Sequence, residues 1–532
     1  MIKKIVIKNF KTFRDFELDL NEEINIIVGD NEAGKSTILE AVNIALTLRL
    51  NGKLLQTELS PYLFNKPVVD EYIRELRAGH KPELPKIVIE LYLSVTSGSE
   101  SLKGTNNTKG EDEVGVKVEV VFDSEYADEY EKFIEDPAKV TTVPTEYFKV
   151  NWYSFAHNSI TSRSLPIGVS FIDATTIRLQ NGTDYYLQSI INEGLDPKER
   201  VALSIVYRGL KESFINDPSI QGINEKLVEK KGAITDKDLA VSIDISNKTN
   251  WETNLIPYLD SLPFHLVGKG EQNALKILLA LERKVDDDIQ VILIEEPENH
   301  LSFSSMNKLI NKIKEKCKGK QILITTHSAY VLNKLGLENL ILLANQKTMS
   351  LSNLPVGTQD YFKKLSGYDT LRLVLAKKTI LVEGPSDELI VQKAYLLKHS
   401  KLPIEDEVDV LNVRGLSFSR FLDIAKELQK DIVVVTDNDG DYKINVDDKY
   451  QPYASTSNIK ICRSEDNIRT TLEPQLVGSN TVALINKVLG KAFATEEGLV
   501  SYMTNNKTEC ALKIFETKEK ITFPTYIDDA IG

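Results

Sequence analysis

The chain has 532 residues, of which 42% are hydrophobic and 27% charged, and a net charge of −13. That length exceeds one ordinary core and predicts two or three domains. The acidic balance excludes a protein that passively coats polyanions, although a local basic groove can coexist with an acidic remainder.

The first residues alternate apolar and polar in "KKIVIKNF", "FRDFELDL" and "INIIVG", which predicts strand, turn, strand, strand. Directly after the third comes "GDNEAGKST", a GxxxxGK[ST] loop ahead of the amphipathic run "ILEAVNIALTL". In that pattern Gly29 and Gly34 let the backbone wrap a phosphate, and exposed N–H groups at the helix start meet its charge. Lys35 reaches the terminal phosphates and the Ser36 hydroxyl holds Mg²⁺, so Gly29, Asn31, Gly34, Lys35, Ser36 and Thr37 are the candidate nucleotide-binding residues. Residues 50 to 180 mix strand-like runs such as "KIVIELYLSV" and "GVKVEVVFD" with the polar stretch "SGSESLKGTNNTKGEDE", expected to be a mobile loop. From 185 to 260 the pattern turns helical, and packing or dimer contacts are the expectation.

"LVGKGEQNALKILLAL" opens a helix on a glycine-rich turn, so Gly268 and Gly270 are candidates for a second anion-binding surface, presented to another subunit's nucleotide. "VILIEEPENHL" ends a buried strand in two acids. In a P-loop ATPase the first, Glu295, orders Mg²⁺ through water, and the second, Glu296, activates the attacking water. "QILITTHSAYVL" ends the next strand at His327, a position suited to sensing a γ-phosphate.

These motifs make residues 1–345 resemble the ABC-type ATPase head shared by SMC-like, RecF-like and OLD proteins, in which two heads sandwich ATP. The signature reads "GKGEQ" instead of LSGGQ, and Glu295 stands where the first acid is usually Asp. No segment sustains heptads long enough for a coiled-coil arm.

In the second half, "KKTILVEGPSDELIVQKAYLL" gives a strand, then Glu383 and Gly384, then a helix; "IVVVTDNDGD" gives a β-branched strand ending in Asp437 and Asp439. In parallel α/β sheets functional residues gather at the carboxyl ends of strands, so both acid groups should face one crevice. This pattern resembles the Toprim domain, and a head followed by Toprim is the arrangement of the OLD (overcoming lysogenization defect) nucleases, close to the nuclease subunits of Gabija defence and retron-associated OLD effectors. The resemblance implies an α/β fold divided as ATPase head 1–184, helical dimerisation insert 185–260, head continuation 261–345, connector 346–375 and a Rossmann-like Toprim nuclease domain 376–532. It adds Asp387 and Glu473 to Glu383, Asp437 and Asp439 as ligands for Mg²⁺ or Mn²⁺. It assigns a charge-stabilising role to Lys507, with Lys513 as the fallback.

The function so implied is ATP-regulated, metal-dependent cleavage of DNA in anti-phage defence, by a homodimer or higher oligomer. A UvrD-like helicase or a retron reverse transcriptase with its RNA–DNA product is the expected partner. The competing class is an ATP-driven nucleic-acid sensor or clamp that does not cut; a DNA-repair nuclease would share all the chemistry. No apolar run reaches membrane-spanning length and the N-terminus lacks a secretory signal. The three cysteines are widely spaced with no CxxC pair. A cytoplasmic protein without a membrane partner is therefore expected.

Overall fold

The computed structural model describes residues 1–95, 98–161, 164–173, 179–180, 183–184, 195–228, 240–241, 257–282, 289–344, 346–364, 370–414 and 418–532. The N-terminal alternation forms β1 (Ile2–Phe10), β2 (Phe13–Asp19) and β3 (Ile24–Gly29), and the P-loop leads into α1 (Lys35–Thr47). After α2 (Lys66–Arg77), strands β4 (Ile87–Leu93), β5 (Glu113–Phe122) and β6 (Phe148–Ser154) return to β1. Together with the short strand Lys103–Gly104 they build a six-stranded antiparallel sheet in the order β2–β1–β4–β5, with β6 and the short strand both pairing with β5. Its inner face packs on α1 through Ile5, Phe10, Phe13, Ile38 and Trp152.

The polar stretch before β5 is not the mobile loop expected. Lys103 and Gly104 pair with Val114 and Glu113, and Leu102 is buried. Fully buried Glu90 on β4 accepts hydrogen bonds from the Thr108 N–H and hydroxyl, each at 2.8 Å. A buried carboxylate must find partners, and this polar stretch supplies them.

Strand β7 (Ile167–Asp173) precedes α3 (Pro197–Ile215) and α4 (Pro218–Val228). The start of α3 is set by a capping box between Asp196 and Glu199, with Pro197 in the first turn. Within the helical insert, residues 185–194, 229–239 and 242–256 lie outside the described residues. Next come α5 (Lys269–Glu282), β8 (Ile289–Glu295), α6 (Phe303–Lys316), β9 (Lys320–Thr325), α7 (Ala329–Leu335), β10 (Leu340–Ala344) and β11 (Lys347–Ser350). The second sheet runs β7–β8–β9–β3–β10–β11, parallel except for its last pair. All six residues of β3 are buried, as a strand covered on both faces requires.

The head sheet therefore runs past residue 345, because β11 pairs with β10 inside the segment expected to be a connector. The rest of that segment forms α8 (Val356–Lys364) and α9 (Thr370–Leu375). Beyond it, β12 (Lys378–Val382), α10 (Pro385–His399), β13 (Val408–Asn412), α11 (Ser419–Glu427), β14 (Asp431–Thr436) and β15 (Ile459–Arg463) follow in alternation. They form a four-stranded parallel sheet, ordered β13–β12–β14–β15. The C-terminal helices α12 (Leu472–Gly478), α13 (Val482–Leu489), α14 (Glu496–Asn505), α15 (Lys507–Glu516) and α16 (Thr525–Ala530) cover one face of it. Among the described residues no helix is long and apolar enough to cross a membrane.

Candidate functional site

Two sites lie at the carboxyl ends of the two parallel sheets. At the first, β3 ends at Gly29, and Gly34 turns the chain into α1 with φ 104°, a left-handed conformation that favours glycine. A Cβ on Gly34 would lie 2.6 Å from the Phe13 ring, and one on Gly29 would lie 2.5 Å from the Leu343 carbonyl oxygen. Asn31, Gly34, Lys35, Ser36, Thr37, Glu296 and His327 share a cavity of ≈ 820 Å³. Lys35 Nζ donates to the carbonyls of Gly29 and Asp30, both at 2.9 Å, so the ammonium is held within the loop that would surround a phosphate. Burial pushes its pKa down, opposed by the nearby Glu296, Asp30 and Glu295.

The Ser36 hydroxyl donates to Glu295 Oε1 at the end of β8, joining the two residues expected to flank Mg²⁺. Burial raises the Glu295 pKa, the Ser36 hydrogen bond opposes this, and Asp173, Glu296 and Glu40 add to the rise. Glu296 lies 3.6 Å from His327 Nε2 and accepts from Asn299 Nδ2 at 2.7 Å. A residue the sequence reading passed over, Glu298, sets the His327 backbone: its Oε1 accepts from the His327 N–H at 2.7 Å and from the Thr326 hydroxyl at 2.8 Å. Its only sequence signal is a third acid two positions after Glu296.

Gly268 and Gly270 stand at the start of α5 and are not among the residues lining this cavity. A Cβ on Gly270 would lie 2.1 Å from the His300 carbonyl oxygen, so glycine there lets α5 approach the loop after β8. Among the described residues nothing lies within 4 Å of a Cβ on Gly268.

At the second site, Glu383 directly follows β12 and Asp437 directly follows the neighbouring β14. Glu383 Oε1 accepts from the Asp437 N–H at 3.0 Å and from the Thr436 hydroxyl at 2.7 Å, so the two strand ends meet directly. Asp387, in the first turn of α10, turns its Oδ2 back to the Gly384 N–H at 3.1 Å. Burial, then Glu383, raises the Asp387 pKa to about 6. Asp437 rises further, to about 8, through burial and then Asp387, Glu383 and Glu473, with Lys507 pulling the other way. Glu473 is buried at the start of α12, and Lys507 Nζ lies 3.5 Å from its Oε1. Lys513 faces elsewhere, with Glu509 at 3.3 Å and the Leu489 carbonyl at 3.2 Å. Asp439 is exposed on the turn, with φ 48°; the pKa of nearby Tyr450 is raised first by burial, then by Glu383, with Asp439 adding to the rise.

The structure thus brings Glu383, Asp387, Asp437, Glu473 and Lys507 together, with Asp439 at the exposed side. Among the described residues, no group of three or more His, Cys, Asp or Glu is arranged so that it could hold a metal ion as it stands. Glu383, Asp387 and Glu473 are each turned to a protein partner. Asp437 Oδ1 is buried with no hydrogen-bond partner. An orphaned carboxylate oxygen amid excess negative charge and hard oxygen donors fits a divalent cation, with the neighbouring carboxylates turning to meet it.

The sequence offered no signal for two further residues here. Asn438, fully buried between the two aspartates, pins the turn by donating to the Ser464 and Asp466 carbonyls at 3.1 and 2.8 Å. Tyr526 on α16 is buried behind the acids, and its pKa is raised by that burial and by Asp437, Asp387, Glu383 and Glu473.

Comparison with known proteins agrees with this division. Residues 1–161 match an AAA ATPase domain, residues 206–333 match an AAA domain described as a putative AbiEii toxin of a type IV toxin–antitoxin system, and residues 374–439 match the overcoming lysogenization defect protein-like TOPRIM domain. Endonuclease GajA of Bacillus cereus strain VD045 is 22% identical over 82% of this chain and 74% of its own length. Endonuclease GajA of strain HuB5-5 is 21% identical over 93% of this chain and 83% of its own. An ATP/GTP phosphatase of Helicobacter pylori is 21% identical over 62% of this chain and 85% of its own. The chain is therefore similar to AAA ATPase domains over residues 1–161 and 206–333 and to the TOPRIM domain of the overcoming lysogenization defect type over residues 374–439.

Proposed function

We propose that the protein is an ATP-regulated, divalent-metal-dependent DNA endonuclease of anti-phage defence. The observation that carries this reading is the meeting of Glu383, Asp387, Asp437 and Glu473 with Lys507 at the end of the Toprim sheet. The match to relatives named as endonucleases supports it. Glu383, Asp387, Asp437, Asp439 and Glu473 would hold Mg²⁺ or Mn²⁺. When bound, such ions lower the pKa of water and offset charge on the departing 3′ oxygen. Lys507, half-exposed beside Glu473, orients the scissile phosphate and offsets charge that develops on it. Buried Asn438 and Tyr526 fix the turn and the back wall against which the acids are set.

In the ATPase domain, Lys35 reaches the phosphates, Ser36 and Glu295 would serve Mg²⁺, Glu296 activates the attacking water, and His327 reports on the γ-phosphate. Gly268 and Gly270 present the turn of α5 to a partner subunit's nucleotide, while Gly270 also seats α5 in its own head. Homodimerisation is supported by the apolar side chains exposed along α3, Val201, Ile205, Val206 and Leu210. The cytoplasm suits a chain whose three cysteines are all free and buried. The helicase and reverse-transcriptase partners find no support in the fold or in the matched relatives. A sensor that binds DNA without cutting it is the second reading.

Nicking of supercoiled plasmid separates the two. The wild type with Mg²⁺ or Mn²⁺ should cut, EDTA should stop it, and Glu383→Ala should abolish it. Lys507→Ala should slow cleavage by about 10²-fold or more, the usual cost of losing one preorganised charge at a reacting centre, while Lys513→Ala stays near wild type. Plasmid left intact by the wild type, with ATP present or depleted, establishes the sensor.

A further inference from the structure

The turn that follows β8 opens on Glu296 with φ 45°, a left-handed conformation that is costly for any residue but glycine. The proline after it would ordinarily drive Glu296 to extended backbone instead. Such a conformation persists only where its surroundings impose it. Here the Glu296 N–H donates to the Thr325 carbonyl at 2.9 Å, and Pro297 is buried. The Asn299 N–H closes the turn on the Glu296 carbonyl at 3.0 Å, and the Leu301 N–H does the same to Glu298 at 3.2 Å. The backbone therefore sets where the Glu296 side chain leaves the turn, and the rotation of its carboxylate is what remains to be fixed.

The Asn299 side chain fixes it: Nδ2 donates to Glu296 Oε2 at 2.7 Å. An ionised carboxylate only accepts, so the amide presents its NH₂ group there and its orientation follows. The two oxygens of Glu296 thereby become unequal. Oε2 carries the Asn299 bond, whereas Oε1 lies 3.6 Å from His327 Nε2, beyond hydrogen-bond distance, and keeps its lone pairs open. Glu296 and His327 both line the nucleotide cavity. His327 is held from the same turn, because Glu298 Oε1 accepts from its N–H and from the Thr326 hydroxyl.

Resting on the reading of Glu296 as the acid that activates the attacking water, we infer that Asn299 is a positioning residue for ATP hydrolysis. It holds Oε2 so that Oε1 is the oxygen that takes the proton. In the step it serves, the water oxygen bonds to the γ-phosphorus and a water proton passes to Glu296 Oε1. The bond from that phosphorus to the β–γ bridging oxygen breaks, its electron pair leaves on ADP, and Glu296 returns the proton to the released phosphate. A general base works only within hydrogen-bond reach of its proton, and a carboxylate free to rotate is often out of that geometry. Closing the turn needs only the Asn299 backbone N–H, which almost any residue supplies; holding Oε2 needs the side-chain donor.

Steady-state hydrolysis of Mg²⁺–ATP by the full chain tests this, paired with calorimetric affinity for the Mg²⁺ complex of a non-hydrolysable ATP analogue. Asn299→Ala should lower kcat by about 10²-fold, the order reached when a reacting group is slightly misplaced. Its KM, analogue affinity and melting temperature should stay at wild-type values. Asn299→Asp keeps the shape and the backbone N–H but replaces the donor by a second carboxylate, and should be at least as slow. With Glu296→Gln already in place, Asn299→Ala should cost nothing further, because it acts only through that carboxylate. The inference is overturned by an Asn299→Asp protein as fast as wild type, or by an Asn299→Ala protein whose rate and analogue affinity fall together. It is also overturned if Asn299→Ala slows hydrolysis by the same factor with and without Glu296→Gln. A wild type that hydrolyses no ATP, or a Glu296→Gln protein as fast as wild type, instead refutes the reading of Glu296 itself, and the role of Asn299 with it.

Discussion

Asp437 shows how a single carboxyl at a strand end makes stability depend on pH and on cations. Its pKa is raised to about 8 in the folded chain, first by burial and then by Asp387, Glu383 and Glu473. The unfolded chain releases that proton near the ordinary carboxylate value, so between about pH 4 and pH 8 only the folded state holds it. The stability contributed is complete below the unfolded pKa and is lost as pH rises through about 8; Asp387, raised to about 6, adds a smaller loss that is complete soon after pH 6. In EDTA, the melting temperature should therefore fall between pH 6 and pH 9. Mg²⁺ or Mn²⁺ should restore it at pH 9, because a cation does there what the proton does at pH 6. Asp437→Asn, which keeps the shape without the charge, should flatten the EDTA profile and raise stability at pH 9. Thermal melts at the two pH values, with and without cation, measure this; an Asp437→Asn profile as steep as wild type would assign the loss to other groups.

At the scale of elements, both sites sit where a run of apolar residues stops at a functional group, and that is why they could be read from the sequence. GxxxxGK[ST] between β3 and α1, Glu295 after β8, Glu383 after β12 and Asp437 after β14 each mark the end of a buried parallel strand. Glu298, Asn438 and Tyr526 were not legible, because their roles come from partners that local pattern does not bring into view, such as the Thr326 hydroxyl and the His327 N–H beside Glu298. The glycine turn before α5 lies between these cases: its composition suggested an anion site, but only the packing separates its two glycines. A Cβ at Gly270 would press on backbone, the His300 carbonyl oxygen at 2.1 Å, whereas one at Gly268 meets nothing within 4 Å. Gly270→Ala should therefore lower the melting temperature by several degrees, with a cost of about 1–3 kcal/mol as overpacked sites show, while Gly268→Ala should melt like wild type. Differential scanning fluorimetry compares the two, and equal melting would mean that the start of α5 can move away from His300.

Across the whole molecule, the residues expected to connect two domains instead join them. Apolar contacts run without interruption from Ile26 and Val28 on β3, the strand that carries the P-loop, through Leu332 on α7 and Phe362 on α8 to Phe421 and Val434 in the Toprim domain. The Phe362 and Phe421 rings meet at 5.3 Å, edge to face, and polar bonds frame them: Arg420 donates to the Thr358 hydroxyl, which donates to Asp423, as does Tyr453. Asp30 of the P-loop also lies near enough to Lys430, at the start of β14, to act on its charge. A tether would let each domain melt alone; a shared core requires them to melt together, and it gives a change at the P-loop a rigid path to the strand that ends in Asp437. Phe362→Ala should remove about 3–5 kcal/mol, the usual cost of deleting a buried phenylalanine. Calorimetry should show one transition moved to lower temperature, and ATP should raise the melting temperature of the whole wild-type chain by linkage. In Phe362→Ala, the ATP-induced protection of Toprim-domain amides from hydrogen exchange should shrink more than that of the head. Two separate transitions in the wild type, with ATP moving only one of them, would show that the core on either side of Phe362 is energetically divided.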